Sequence, residues 1–239
     1  QAVFQDPWSS LNPRMRVGTI VGEPLAVIQR LPRSEVRGRV TELLEMVGLN
    51  ASTANNFPHE LSGGMRQRVA VARALSVNPS VIILDEPVSA LDVSIRAQIV
   101  NLIKDLQDRY GVAYLLITHD LATVRYVSDR VAIMYAGQIV ETGLVDELFT
   151  NPLHPYTKAL LSAALPAHPK DQREEILLGG EPPSPTQPPS GCRFHPRCPV
   201  AFDRCSREVP KLMEMASGST VACHLYTEKE NLPGPSEGN

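Results

Sequence analysis

Leu61-Ser62-Gly63-Gly64-Met65-Arg66-Gln67-Arg68, followed one helix later by Val81-Ile82-Ile83-Leu84-Asp85-Glu86-Pro87, is the stretch on which the reading of this chain turns. Ser62 stands where a helix N-cap belongs, and Gly63 and Gly64 strip the side chains from the first turn. The helix then runs through Val69, Ala70, Ala72, Arg73, Ala74 and Leu75 until Asn78-Pro79 stops it. A helix start bared in this way offers backbone N–H groups and the positive end of the dipole, which attract an anion, phosphate foremost. Taken alone, Ser-Gly-Gly reads as a plain cap and turn.

The uninterrupted apolar run Val81–Leu84 predicts a central strand covered on both faces. Pro87 prevents its continuation, so Asp85 and Glu86 stand at the strand's end. Two like charges there are costly unless a cation or donors meet them. A magnesium ion carrying phosphates satisfies both, with one carboxylate holding the metal and the other free to act on a water molecule.

Working outward, Ser89-Ala90-Leu91-Asp92 leads into a helix with Ile95, Ile99, Leu102, Ile103 and Leu106 on one face, closed by Gly111. Val112–Ile117 is the next strand, ending on Thr118-His119-Asp120. A helix over Leu121–Val127, a strand over Val131–Tyr135, a turn at Gly137 and a strand over Gln138–Glu141 follow. Upstream, Ser34 to Val47 has apolar residues at helical spacing, with Ser34 placed to cap it and Gly48 to end it. Val3-Phe4 ends at Gln5-Asp6-Pro7 and a loop rich in turn formers. Alternating strands and helices predict a mostly parallel, covered sheet, and ligands of such sheets collect beyond the carboxyl ends of the strands. Asp85, Glu86 and His119 all fall at that edge.

The chain has 239 residues, 43% of them hydrophobic, enough for one large domain or a domain with an appendage. A net charge of −3 provides no basic field for nucleic acid. No apolar run approaches the ~18 residues of a membrane span. With no basic segment followed by an apolar one at the start, a cytoplasmic setting is expected. The chain starts with Gln1, in what reads as the tail of a strand, which suggests a fragment of a longer protein. All four cysteines fall after residue 190, and in that setting the clustering argues for a metal or cluster site over disulfides.

Gln5, Leu61-Ser62-Gly63-Gly64, Val81 through Pro87, Ser89-Ala90-Leu91-Asp92 and Thr118-His119-Asp120, in this order and spacing, closely resemble the nucleotide-binding subunit of ABC transporters. The resemblance covers roughly residues 1–145. It implies an α/β fold: a P-loop NTPase-like ABC nucleotide-binding domain with a parallel sheet plus a helical subdomain at about 12–75. It implies ATP and Mg2+ as cofactors, Gln5 contacting magnesium and sensing membrane subunits, and Asp85 as the residue that holds the magnesium. Ser62, Gly63 and Gly64 would cap the γ-phosphate of ATP bound on the opposite subunit of a head-to-tail dimer. Glu86 is implied as general base, His119 as the switch histidine near the γ-phosphate, and Asp92 as a dimer-seam residue. Met65 departs from the glutamine usual after the two glycines. The family's G-x-x-x-x-G-K-S/T loop does not occur in the sequence, so this chain is expected not to bind or hydrolyse ATP alone.

Asn151-Pro152-Leu153-His154-Pro155-Tyr156-Thr157-Lys158-Ala159-Leu160-Leu161 resembles the appendage of oligopeptide and dipeptide importer ATPases, a group that includes nickel importers. Residues 146–180 are expected to form a helical connection, and 181–239 a Pro-rich and cysteine-bearing C-terminal appendage. The resemblance implies an ATPase subunit at the cytoplasmic face of the membrane, docked on integral permease subunits and served indirectly by a substrate-binding protein. Its alternatives are uptake of nickel or another small solute, or a soluble ABC ATPase outside transport. The spacing of Cys192, Cys198, Cys205 and Cys223 is not that of a usual zinc ribbon. In peptide-importer ATPases this pattern resembles a four-cysteine site for a four-iron, four-sulfur (4Fe-4S) cluster. Zn2+ is the alternative, with His195 or His224 as substitute ligands, and unliganded buried thiols are the third reading.

Overall fold

The β-branched run Val81-Ile82-Ile83 forms the middle of a parallel sheet, and everything in the first half of the chain is placed relative to it. The computed structural model describes residues 1–163, 175–184 and 186–227. Its two units, Gln1–Thr123 and Val124–Asn239, are taken in turn.

In the first unit, β1 (Ala2–Val3), β2 (Val81–Asp85) and β3 (Ala113–Ile117) pair in the order β1-β2-β3, all parallel. The register sets Val3 beside Leu84 and Asp85 beside Ile117, so the three strands end at one edge. Between β1 and β2 lie α1 (Pro7–Ser10), α2 (Val17–Val27), α3 (Arg33–Met46), two 3-10 turns and α4 (Gly63–Leu75). Helices α2, α3 and α4 pack on one another. They bury Ile20, Val21, Leu25, Leu43, Leu44, Val69 and Ala72. Helix α3 starts at Arg33 rather than at a Ser34 cap: the Pro32 carbonyl takes the N–H groups of Glu35 and Val36. Helix α5 (Val93–Tyr110) buries Ile99, Val100, Ile103 and Leu106 and ends on Gly111, whose φ of 65° suits a residue without a side chain.

The expected cover on both faces of the sheet is not found among the described residues. Ile82 and Leu84 are buried, but Val81 and Ile83 on the other face of β2 are 50% and 40% exposed, and Leu115 and Ile117 of β3 are 55% and 49% exposed. Helices therefore cover only one face within this unit. Helix α6 (Leu121–Val127) carries the chain into the second unit.

The second unit departs from the expected parallel order. Strands β4 (Arg130–Tyr135) and β5 (Gln138–Leu144) form an antiparallel hairpin. Ala136 and Gly137 turn it with φ of 45° and 79°, the geometry of a two-residue hairpin loop. So short a connection cannot return a strand parallel to its predecessor. After α7 (Val145–Thr150) and α8 (Pro155–Ser162) come α9 (Asp203–Arg207), β6 (Met213–Glu214), β7 (Thr220–Val221) and α10 (His224–Thr227). Strands from the tail complete a second sheet in the order β4-β5-β7-β6, antiparallel throughout. The expected helical connection is represented by α7 and α8; residues 164–174 lie outside the described residues. The stretches 181–184 and 186–189 contain no helix or strand.

Glu141, 1% exposed on β5, accepts the backbone N–H groups of Leu153 at 2.7 Å and His154 at 2.8 Å. His154 is the N-cap of α8, its Nδ1 accepting from the Tyr156 N–H at 3.0 Å. Its ring, with those of Tyr135 and Tyr156, packs around the buried Phe194. Thus His154-Pro155-Tyr156 is a packing device as well as a helix start. Among the described residues, no helix is long and apolar enough to cross a membrane.

Candidate active site

The carboxyl edge of the parallel sheet gathers side chains from three strand ends. Gln5 follows β1 and is exposed; Asp85 closes β2; Glu86 comes next; His119 follows β3. Glu86 donates its N–H to the Ile117 carbonyl at 2.8 Å, one residue beyond the strand pairing. Its φ of 45° is unusual for a residue with a side chain, and a left-handed non-glycine residue costs about 1 kcal/mol or more. That turn brings its Oε1 to 3.0 Å from Nδ1 of His119. Glu86 is the more sheltered partner, its side chain 25% exposed against 77% for His119. Among the described residues no ion pair neutralises Asp85. A half-buried carboxylate of this kind at the mouth of a sheet fits a divalent cation.

The turn between β2 and α5 is held at Glu86, whose carbonyl accepts from the Ser89 hydroxyl at 3.1 Å. Asp92 is the N-cap residue of α5, but its side chain makes no capping bond, and it is exposed. Its carboxylate is therefore not consumed by the helix.

Ser62 caps α4, its Oγ accepting from the Met65 N–H at 3.3 Å. The two glycines also have a packing reason. A Cβ on Gly64 would stand 2.5 Å from Cγ2 of Ile95, and one on Gly63 would stand 3.3 Å from the Leu91 side chain. The bare first turn of α4 is thus what lets it approach the start of α5. The bonds described for Ser62 and for the Glu86–His119 pair do not connect them.

Three arginines not singled out by the sequence reading brace this edge. Arg66 lies over the Trp8 ring, 4.0 Å from its centroid, and donates to the carbonyls of Leu61 at 2.7 Å and Pro58 at 3.3 Å. Arg73 donates to the Ser10 carbonyl at 2.6 Å; burial lowers its pKa, with Glu23 opposing. Together they fasten the segment after Gln5 to α4. Arg66 and Arg73 are seven apart and so share a helix face, a signal present in the sequence. Arg96 contacts the carboxylate of Asp120. Burial works against the charge on Asp120, but hydrogen bonds from Thr123 and Ala122, with Arg96 nearby, hold its carboxyl below the usual range.

In the second unit Cys192, Cys198, Cys205 and Cys223 line one cavity of about 10 Å³, together with His154, Phe194, His195 and His224. All four are free thiols. Burial raises Cys192 and Cys198, and pushes Cys223 up to about 11, with the other three cysteines adding to the shift. The expected ligand set is not closed, however: among the described residues no three His, Cys, Asp or Glu side chains are grouped closely enough to hold a metal ion. The thiols converge on a common space without meeting at a point.

The chain is also similar to known proteins. The profile described as "ABC transporter" matches residues 1–89, and that described as "Oligopeptide/dipeptide transporter, C-terminal region" matches residues 140–205. A probable peptide ABC transporter ATP-binding protein of Sinorhizobium fredii is 53% identical over 94% of this chain and 64% of its own length. The oligopeptide transport ATP-binding protein AppF of Bacillus subtilis is 51% identical over 95% of this chain and 70% of its own. The dipeptide transport ATP-binding protein DppF of Haemophilus influenzae is 49% identical over 93% and 68%. The chain thus spans roughly two-thirds of the length of these relatives. Among solved structures, the ATP-binding cassette MJ0796, a dimer bound to ADP and Pi, superposes with a TM-score of 0.54 at 34% identity over 60% of this chain and 62% of that one. CbiO1 from Clostridium perfringens, part of the ABC transporter complex cbiONQ, gives 0.57 at 34% over 63% and 59%.

Proposed function

The chain belongs to the ATP-binding proteins of ABC transporters, in the group that carries the oligopeptide/dipeptide transporter C-terminal region, and from that premise we propose that it is the ATP-hydrolysing part of an importer of oligopeptides or dipeptides. The observation that carries this reading is the Glu86–His119 contact beside Asp85, which no ion pair neutralises among the described residues, at the carboxyl edge of the sheet. Asp85 and Gln5 would hold Mg2+, which supplies charge neutralisation along the phosphate chain. Glu86 takes a proton from the attacking water on its carboxylate, and His119, at its Nδ1, fixes where that carboxylate points. Ser62, Gly63 and Gly64 present the start of α4 to the γ-phosphate of ATP held by a second ATP-binding subunit, head to tail, with Asp92 at the seam. In this reading the two motifs of one chain serve two different nucleotides.

Membrane permease subunits would dock beside the Gln5 segment, at the cytoplasmic face, and a substrate-binding protein would deliver the peptide to them. The bracing of that segment by Arg66 and Arg73 supports this, since docking there would be felt at the start of α4. This chain contains no G-x-x-x-x-G-K-S/T sequence, and the reading predicts that it does not turn over ATP alone. The test is ATP hydrolysis by the full-length protein in vesicles with its permease subunits. Stimulation by a peptide-loaded binding protein supports the reading, and stimulation by nickel alone, or by neither, overturns the peptide assignment.

For the tail we propose a 4Fe-4S cluster on Cys192, Cys198, Cys205 and Cys223, with Zn2+ as the alternative occupant. All four thiols line one small cavity with Phe194, which supports the reading in the kind of ligand offered, although among the described residues they are not grouped closely enough to close the set. Iron, sulfide and zinc assays on anaerobically purified protein decide between them, and absence of all three refutes both.

A further inference from the structure

Arg96 sits in the first turn of α5, its own N–H bonded to the Asp92 carbonyl at 2.8 Å. Its guanidinium spans two places. Nη2 donates to the carbonyl of Leu91 at 3.4 Å, in the turn that carries Asp92, and Nη1 donates to Oδ2 of Asp120 at 3.4 Å. Asp120 in turn clasps the chain around His119. Its N–H donates to the Thr118 hydroxyl at 3.1 Å, its Oδ1 accepts from the N–H groups of Ala122 at 3.1 Å and Thr123 at 3.5 Å, and its Oδ2 accepts from the Thr123 hydroxyl at 2.8 Å. His119 lies between Thr118 and Asp120, so the backbone that aims its imidazole at Glu86 is held by the bond from the Asp120 N–H to the Thr118 hydroxyl on one side and by the grip of the Asp120 carboxylate on Ala122 and Thr123 on the other.

We propose that Arg96 is a positioning residue that couples the Leu91–Asp92 turn to the placement of His119 against Glu86. This rests on the ATPase reading given above. Its physical content is that a displacement of the Leu91–Asp92 turn reaches His119 through one rigid, planar cation and one multiply bonded carboxylate. The Arg96 and Asp120 side chains are 34% and 23% exposed, and a pair so placed contributes little to stability after solvent screening. Both bonds are long, and Nε of Arg96 is buried without a partner among the described residues. The chain of contacts therefore has its use in geometry: misplacing a catalytic group by about 1 Å can lower turnover as much as a hundredfold.

The experiment uses the full-length protein with its permease subunits. Arg96→Ala is expected to lower kcat for ATP about tenfold while KM stays within about twofold and the melting temperature is unchanged. Arg96→Lys, a point charge that can serve one of the two contacts, regains part of the loss. Asp120→Asn lowers kcat in the same direction, and Arg96→Ala adds little to it because both act through one link. Losses that multiply in the double variant, or a raised KM at unchanged kcat, overturn the proposal. If Arg96→Ala fails to fold, Arg96→Lys and Asp120→Asn carry the same comparison. The controls separate this from the function itself. Wild-type protein that does not hydrolyse ATP, or Glu86→Gln that hydrolyses it normally, refutes the ATPase reading. With both controls as expected, wild-type turnover by Arg96→Ala refutes only this inference.

Discussion

Nδ1 of His119 lies 3.0 Å from Oε1 of Glu86, across the ends of neighbouring parallel strands, and it does so because Glu86 accepts a left-handed backbone conformation. A residue strained in this way at the mouth of a sheet is held there by its surroundings: the Ile117 carbonyl on one side and the Ser89 hydroxyl on the other. In the function proposed above, the pair is the working centre of the site, and the other elements serve to present it.

His119→Ala frees the Glu86 carboxylate to rotate without removing it. In the full-length protein, kcat for ATP should fall about 10²-fold or more while nucleotide affinity changes little, as measured by turnover alongside equilibrium binding. Because the imidazole is 77% exposed, the melting temperature should stay within about a degree.

Gly64→Ala tests the packing role of the bare first turn of α4. Alanine favours helix by about 1 kcal/mol over glycine, yet its Cβ would stand 2.5 Å from Ile95 Cγ2. The clash should win, with a net loss of about 1–2 kcal/mol in denaturant unfolding. Ile95→Ala in the same chain should recover part of it, since it removes the offending methyl group.

Tyr114 carries a hydroxyl that is buried without a hydrogen-bond partner among the described residues, and burial pushes its pKa up to about 12. Tyr114→Phe should leave stability unchanged or raise it by up to about 1 kcal/mol, read from urea midpoints.

His154 predicts how the second unit responds to acid. Burial lowers its pKa from 6.5 to about 4, and its Nδ1 must stay unprotonated to accept the Tyr156 N–H. The unfolded chain takes up a proton below about 6.5 and the folded one does not until about 4. Stability is therefore lost as pH falls through that window, by up to about 3 kcal/mol. His154→Asn keeps a capping acceptor without the titration, and thermal melts between pH 7 and 4 should be flatter for that variant.

Much of the first unit was legible because its signals are local. Val81–Leu84 reads as a strand from its β-branched run, Ser62 as a cap from its place before a helical pattern, and Gly111 as a helix end. The register then put Gln5, Asp85, Glu86 and His119 on one edge, as strand-and-helix alternation led one to expect. The misses have a common cause, which is that they depend on partners distant in sequence. A continuous apolar run cannot tell whether one face or both will be covered, and Ile83 and Leu115 are exposed. Ala136-Gly137 did hold the information that β4 and β5 are antiparallel, but their pairing with the tail strands did not show. Arg66, Arg73 and Arg96 bond to backbone carbonyls or to a carboxylate reached only by folding, and Glu141 to two N–H groups twelve and thirteen residues on. The cysteine spacing brought four thiols to one cavity without setting their distances.

The most direct measurement is ATP turnover and ATP binding by full-length protein carrying Glu86→Gln, with its permease subunits present. The account predicts that turnover falls about 10²–10⁴-fold while ATP stays bound and holds two ATP-binding subunits together, since the amide keeps the shape and loses the base. Turnover within about twofold of wild type would contradict it.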